Sequence, residues 1–155
     1  MADFVAGPSG GVGGVLARDD PPDGLIVAEV RISSGEAIDS IEFIHEFPNG
    51  DLYETGKHGG DGGVANAPLH VGRAHWISEV RGWASAQRCV GLSIALDGDV
   101  GKYWDFGHQA DNYATFHYVA PLGWEIIGFY GRTSDQVDAF GVVFGMLGAR
   151  GVPIK

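Results

Sequence analysis

Apolar and polar residues alternate along this chain in short runs. In "IEFIHEF", positions 41–47, Ile41, Phe43, His45 and Phe47 fall on one face and Glu42, Ile44 and Glu46 on the other, the two-residue period of a half-buried strand. "LIVAEVRIS" (25–33), "HWISEV" (75–80), "CVGLSIAL" (89–96), "ATFHYVA" (114–120), "WEIIGFY" (124–130) and "VDAFGVVF" (137–144) read similarly. They are rich in β-branched and aromatic residues and bounded by turn formers such as "FPNGD" and "LDGD". The longest stretch without Gly or Pro, His108–Ala120, has 13 residues, which leaves little room for ordinary helices. The pattern predicts an all-β chain of ten or more short strands. No linker or composition shift divides it, and 155 residues suit one domain with a real core. Positions 1–155 are therefore read as a single domain, with a core from about 5 to 146 and a tail, 147–155, to which no role is assigned.

Two marks recur along this pattern. "GGVGG" (Gly10–Gly14) returns as "GGDGG" (Gly59–Gly63), a spacing of 49 residues from position 10 to position 59. Gly35-Glu36-Ala37-Ile38-Asp39 leads into one strand, and Ser134-Asp135-Gln136-Val137-Asp138 leads into another about two such periods later. Ala86-Gln87-Arg88-Cys89-Val90 sits halfway between them, and Gly107-His108-Gln109-Ala110-Asp111 is a faded third glycine mark. Three units of roughly 49 residues imply a closed, threefold architecture of four-stranded units.

Composition narrows the partners. A formal charge of −10, from 20 acidic and 10 basic residues, argues against nucleic acid and anionic lipid, which call for clustered Lys and Arg. No apolar run approaches the ~20 residues that span a bilayer, so membrane insertion is not expected. The N-terminal residues lack a basic and apolar leader pattern, which makes the cytoplasm, or secretion without such a leader, the expected location. Cys89, the single cysteine, has no partner for an internal disulfide.

"GPSGGVGG", "GEAIDSIEF", "HGGDGG", "KYWDFG" and above all "IIGFYGRTSDQVDAFGVVF" resemble the jacalin-related lectins, over nearly the whole chain from Gly7 to about Phe144. The resemblance implies a β-prism I fold: three four-stranded Greek-key sheets about a pseudo-threefold axis. It also implies metal-independent carbohydrate binding, with no cofactor, at one end of the prism, where a G-x-x-x-D loop faces a Gly-Gly loop. A carboxylate accepts from two neighbouring sugar hydroxyls, backbone N–H groups donate to the same oxygens, and glycine in the facing loop lets the ring approach.

Carried over by motif, the resemblance implies a first site at Gly14, Asp135, Gln136, Val137 and Asp138, with Ser134 standing where the family has glycine. A positive φ at that position would strain serine. A second site would use Gly63, Gly35, Glu36, Ala37 and Asp39, with the motif intact. The third unit has Val90 where the aspartate belongs, so no third sugar site is expected. Galactose-type members are cut before the glycine equivalent to Gly14, and here "GGVGGVL" runs unbroken, so mannose- or glucose-type glycans are the implied ligands. A homodimer is the default expectation.

Two other readings compete. A protein-interaction or scaffold module that keeps the prism and has lost its sugar sites would also fit Ser134 and the degenerate third unit. Catalysis fits poorly: the six histidines show no metal spacing, there is no G-x-S-x-G elbow, and Asp39 and Asp138 belong to different units. His45 is expected to be a satisfied core histidine. Asp97-Gly98-Asp99-Val100-Gly101 lacks the glycine and distal glutamate of a calcium loop and reads as a hairpin turn.

Overall fold

The computed structural model describes residues 3–99, 101–109 and 113–147. Ala110 and Asp111 of the third glycine mark, Val100, and the tail from position 148 onward lie outside the described residues. Fourteen strands and no helix make up the described chain, as the alternating pattern and the density of Gly and Pro dictate.

The strands form three antiparallel sheets. The first is built from both ends of the chain: β1 (Phe4–Gly10), β2 (Val15–Arg18), β13 (Trp124–Thr133) and β14 (Val137–Met146), in the order β1-β14-β13-β2. The second uses β3 (Ile26–Ser34) and β4 (Ile38–Glu46) as its centre. Each outer lane of this sheet is broken in two: β5 (Leu52–Glu54) and β6 (His58–Gly59) both pair with β4, while β7 (Val64–Ala65) and β8 (Leu69–His70) both pair with β3. Four lanes are kept, but with six strands where four were expected. The third sheet orders β9 (Ile77–Ala84), β10 (Cys89–Leu96), β11 (Trp104–Gly107) and β12 (Ala114–Val119) as β11-β10-β9-β12.

One core joins the three sheets. Phe129 and Phe140 from the first, Ile41 and Phe43 from the second, and Leu92 and Ile94 from the third are all almost fully buried in it. Ile44, assigned to the polar face, is fully buried, as are Phe43 and His45 on either side of it, so both faces of β4 are covered at this point. His45 is buried as expected, but only half satisfied. Its Nε2 donates to the Ile127 carbonyl at 2.7 Å, and Nδ1 has no partner among the described residues. The turn at Asp97-Gly98 is the expected hairpin. Both residues have positive φ, +60° and +71°, and the Asp99 N–H closes on the Leu96 carbonyl at 2.9 Å.

Candidate functional site

The threefold repeat is visible in the backbone hydrogen bonds at one end of the molecule. Gly11 N–H donates to the Asp138 carbonyl at 2.8 Å, Gly60 N–H to Asp39 at 2.9 Å, and His108 N–H to Val90 at 2.9 Å. In the loops opposite, Ser134 N–H donates to the Gln136 carbonyl, Gly35 to Ala37 and Ser85 to Arg88, each at 2.9 Å. The strand registers agree: Val15 pairs with Thr133, Val64 with Ser34 and Ala114 with Ala84. The residues just before these pairs are therefore equivalent, and they are Gly14, Gly63 and Tyr113.

In the first unit, Gly14 lies over Asp138. It has φ +73°, and a Cβ there would collide with Asp138 Oδ2 and the Thr133 carbonyl. In the second unit Gly63 has φ +72° and would strike Asp39 Oδ2 in the same way, while Gly62 and Gly35 stand 3.1 Å and 3.5 Å from the same carboxylate by the same measure. Asp138 Oδ2 and Asp39 Oδ2 are both buried and have no hydrogen-bond partner among the described residues. An orphaned buried acceptor costs roughly 1–3 kcal/mol, and the fold carries one at the same place in two units. The structure thus brings Gly14 to Asp138 and Gly63 to Asp39, as the motifs implied.

Their loops have the donors that the chemistry calls for. Asp135 and Glu36 are exposed, and no group among the described residues takes the backbone N–H of Asp135, Gln136, Glu36 or Ala37. Val137 and Ala37 point their side chains into the core, at 0% and 2% exposure, so each contributes backbone only. The third unit differs at every point. Val90 replaces the aspartate, Tyr113 the glycine, and Ser85 Oγ accepts from Gln87 N–H and Arg88 N–H, both at 3.1 Å. Its loop has spent its donors internally.

Three features were not visible in the motifs. Ser134 is not among the residues with positive φ, so the feared strain does not arise. Instead its Oγ donates to Asp138 Oδ1 at 3.2 Å and to Asp135 Oδ1 at 3.3 Å, leaving Asp138 less free than Asp39, which has Gly35 in the corresponding place. Asp138 is also almost wholly enclosed, at 5% exposure. Arg132 braces the first glycine loop, its Nε donating to the Gly13 carbonyl at 3.0 Å and an Nη to Gly14 at 3.2 Å. The "GR" of "YGRTSD" was the signal available for this.

The two pockets also touch. A Cβ at Gly60 would fall 2.8 Å from Asp135 Cα and closer still to its carbonyl, so the second unit's glycine loop rests on the first unit's recognition loop. The root of that loop is fastened to the first sheet. His58 bonds Asp19 Oδ1 at 2.6 Å and stacks on Phe129, and buried Asp19 accepts the Phe129 N–H at 2.8 Å. Among the described residues no group of three or more His, Cys, Asp or Glu gathers to hold a metal.

Three antiparallel sheets about one core, with glycine-over-aspartate loops at one end, define a lectin-type β-prism. The chain belongs to the jacalin-like lectin domain family, whose model matches residues 6–143, and the fold is β-prism I. It is 32% identical over 146 residues to jacalin-related lectin 3 of Arabidopsis thaliana, covering 88% of this chain and 22% of that protein's length. It is 26% identical over 140 residues to horcolin of Hordeum vulgare, covering 87% of this chain and 92% of horcolin. Among solved structures, the mannose-binding lectin from champedak superposes with a TM-score of 0.72 at 25% identity, over 94% of this chain and 99% of that one.

Proposed function

We propose that this chain binds carbohydrate, as a metal-independent lectin for mannose- or glucose-type glycans, at two loop pockets. The first is Gly14 with Asp135, Gln136 and Asp138; the second is Gly63 with Glu36, Ala37 and Asp39. The observation that carries this reading is the pair of unpartnered carboxylate oxygens, Asp138 Oδ2 and Asp39 Oδ2, each beneath a glycine that leaves no room for a Cβ. Buried polar groups are almost always satisfied, so the same deficit in two units and not in the third marks a place kept for hydroxyl donors. The free N–H groups of the facing loops supply the complementary donors. The champedak neighbour is a mannose-binding lectin, and the unbroken run through Gly14 favours the same sugar class here.

An open polar site of this kind holds a monosaccharide at about −4 to −6 kcal/mol, millimolar to high micromolar. A glycan array on the purified chain, run with and without EDTA, tests the proposal. Mannose- or glucose-terminated glycans should bind equally in both arms. A galactose-only profile, or loss of binding on chelation, contradicts it.

A further inference from the structure

A different sugar-sized cleft lies on the seam between the second and third sheets. It encloses about 540 Å³ between the Asn66–Pro68 strap, β8 and β11, and its walls include Asn66, Pro68, His70, Trp104 and Asp105. That volume is within the range of small-molecule sites, which combine apolar and aromatic walls with a few polar groups.

We propose that this cleft is an additional carbohydrate-binding site, in which a pyranose ring lies on the Trp104 indole. Trp104 is only partly buried: it packs against the core, and Lys102 Nζ hangs 5.3 Å from the centre of its ring. The fold does not require an aromatic there. Trp104 pairs with Ile94, and the residue at the equivalent place in the first sheet, opposite Val142, is Ala6. An indole face carries negative charge density and attracts the weakly positive C–H face of a sugar. The polar groups around it suit hydroxyls. Asn66 uses its Nδ2 on the Ile32 carbonyl and Ser34 Oγ, both at 3.0 Å, which leaves Oδ1 as an acceptor. Asp105 receives Ser93 Oγ at one oxygen only. Lys102 and the exposed His70 ring supply donors. An anionic ligand would meet Asp105 here and Glu29 beside His70; a cationic one would meet Lys102 over the ring. A neutral polyol avoids both.

The proposal does not depend on the loop pockets, and the test separates the two. In the double variant D39N/D138N, the four indole N–H signals are followed by NMR during titration with methyl α-mannoside, methyl α-glucoside and methyl β-galactoside. Titration to about 100 mM covers sites as weak as tens of millimolar. The Trp104 signal, assigned with Trp104→Leu, should move saturably for at least one sugar. Asp105→Ala and His70→Ala, both exposed, should each weaken that response severalfold while the chain stays folded, which keeps the test valid if Trp104→Leu unfolds. A Trp104 signal that moves for none of the three sugars overturns the cleft and leaves the loop reading standing. A response of Trp104 in a wild-type chain whose loops bind nothing supports the cleft and removes the loop reading.

Discussion

Gly14 and Asp138 are 124 positions apart in the chain, and yet the missing side chain of one is what leaves room beside the carboxylate of the other: a Cβ on Gly14 would collide with Asp138 Oδ2. Gly14→Ala should therefore remove sugar binding at the first pocket and leave the second intact, and Gly63→Ala should do the reverse. Each glycine has positive φ, +73° and +72°, so each variant also loses about 1–2 kcal/mol of stability. Titration of both variants with methyl α-mannoside, beside their melting curves, checks this. Unchanged affinity in a folded Gly14→Ala chain would show that the sugar does not enter there.

Asp138→Asn keeps an oxygen for Ser134 Oγ and removes the charge. A hydrogen bond to a charged group is worth about 1.5–3 kcal/mol, so a millimolar site should become undetectable. Because the lost oxygen was buried without a partner, Tm should hold or rise. A large fall in Tm would make Asp138 a structural residue. Ser134→Gly frees Asp138 Oδ1 from a competing donor, and should tighten the first pocket by about 0.5–1 kcal/mol, two- to fivefold.

The contact of Gly60 with Asp135 couples the pockets through backbone, although they share no side chain. Gly60→Ala must displace the first recognition loop, and so should weaken binding at Asp138 from a position on the other unit's loop. Combined with Ser134→Gly, which alters the backbone freedom of that same loop, its effect should be non-additive by about 0.5–3 kcal/mol, as for sites coupled through a shared backbone shift. Additive losses within experimental error would mean that the loops are independent.

Burial depresses the His45 pKa below its ordinary value of 6.5, against smaller opposing effects from the Ile127 carbonyl and Asp19. With Nε2–H committed to Ile127, a second proton would go to Nδ1, which has no acceptor among the described residues. The neutral form is thus the one that folds. Its contribution is fully present above about pH 6.5 and is lost as pH falls through the depressed folded value. His45→Gln should remove up to about 1.4 kcal/mol per pH unit of acid sensitivity in that window. Identical pH profiles for the two proteins in urea unfolding would contradict this.

Burial pushes the Cys89 thiol up to about 12, and the side chain is fully enclosed in the core. Since the thiolate is the nucleophile, a thiol-specific reagent at neutral pH should leave the folded protein unmodified and label it fully in denaturant. Rapid labelling of the native protein would show that β10 opens.

What could be read from the sequence was whatever local pattern or repeat spacing controls. β10 runs from Cys89 to Leu96 as its apolar run indicated, because it is central in its sheet and buried on both faces. β6, β7 and β8 were not legible, since two residues show no period. In the site, the pairings of Gly14 with Asp138 and Gly63 with Asp39 were implied by the resemblance to the jacalin-related lectins. The bond from Ser134 to Asp138 lies within one loop and depends on a side-chain rotamer that no repeat spacing encodes, and the seat of Gly60 on Asp135 depends on how neighbouring units meet. The Trp104 cleft forms only when the second and third sheets close on each other.

The most direct measurement is the number of sugars bound per chain, by calorimetric or NMR titration with methyl α-mannoside in EDTA, for the wild type, Asp138→Asn, Asp39→Asn and the double variant. The loop pockets should contribute two in the wild type, one in each single variant and none in the double, with any weaker binding left in the double variant confined to the Trp104 signal. Undiminished stoichiometry in Asp39→Asn would make "GGDGG" an ordinary turn. Full binding in the double variant, with the Trp104 signal unmoved, would contradict the account as a whole.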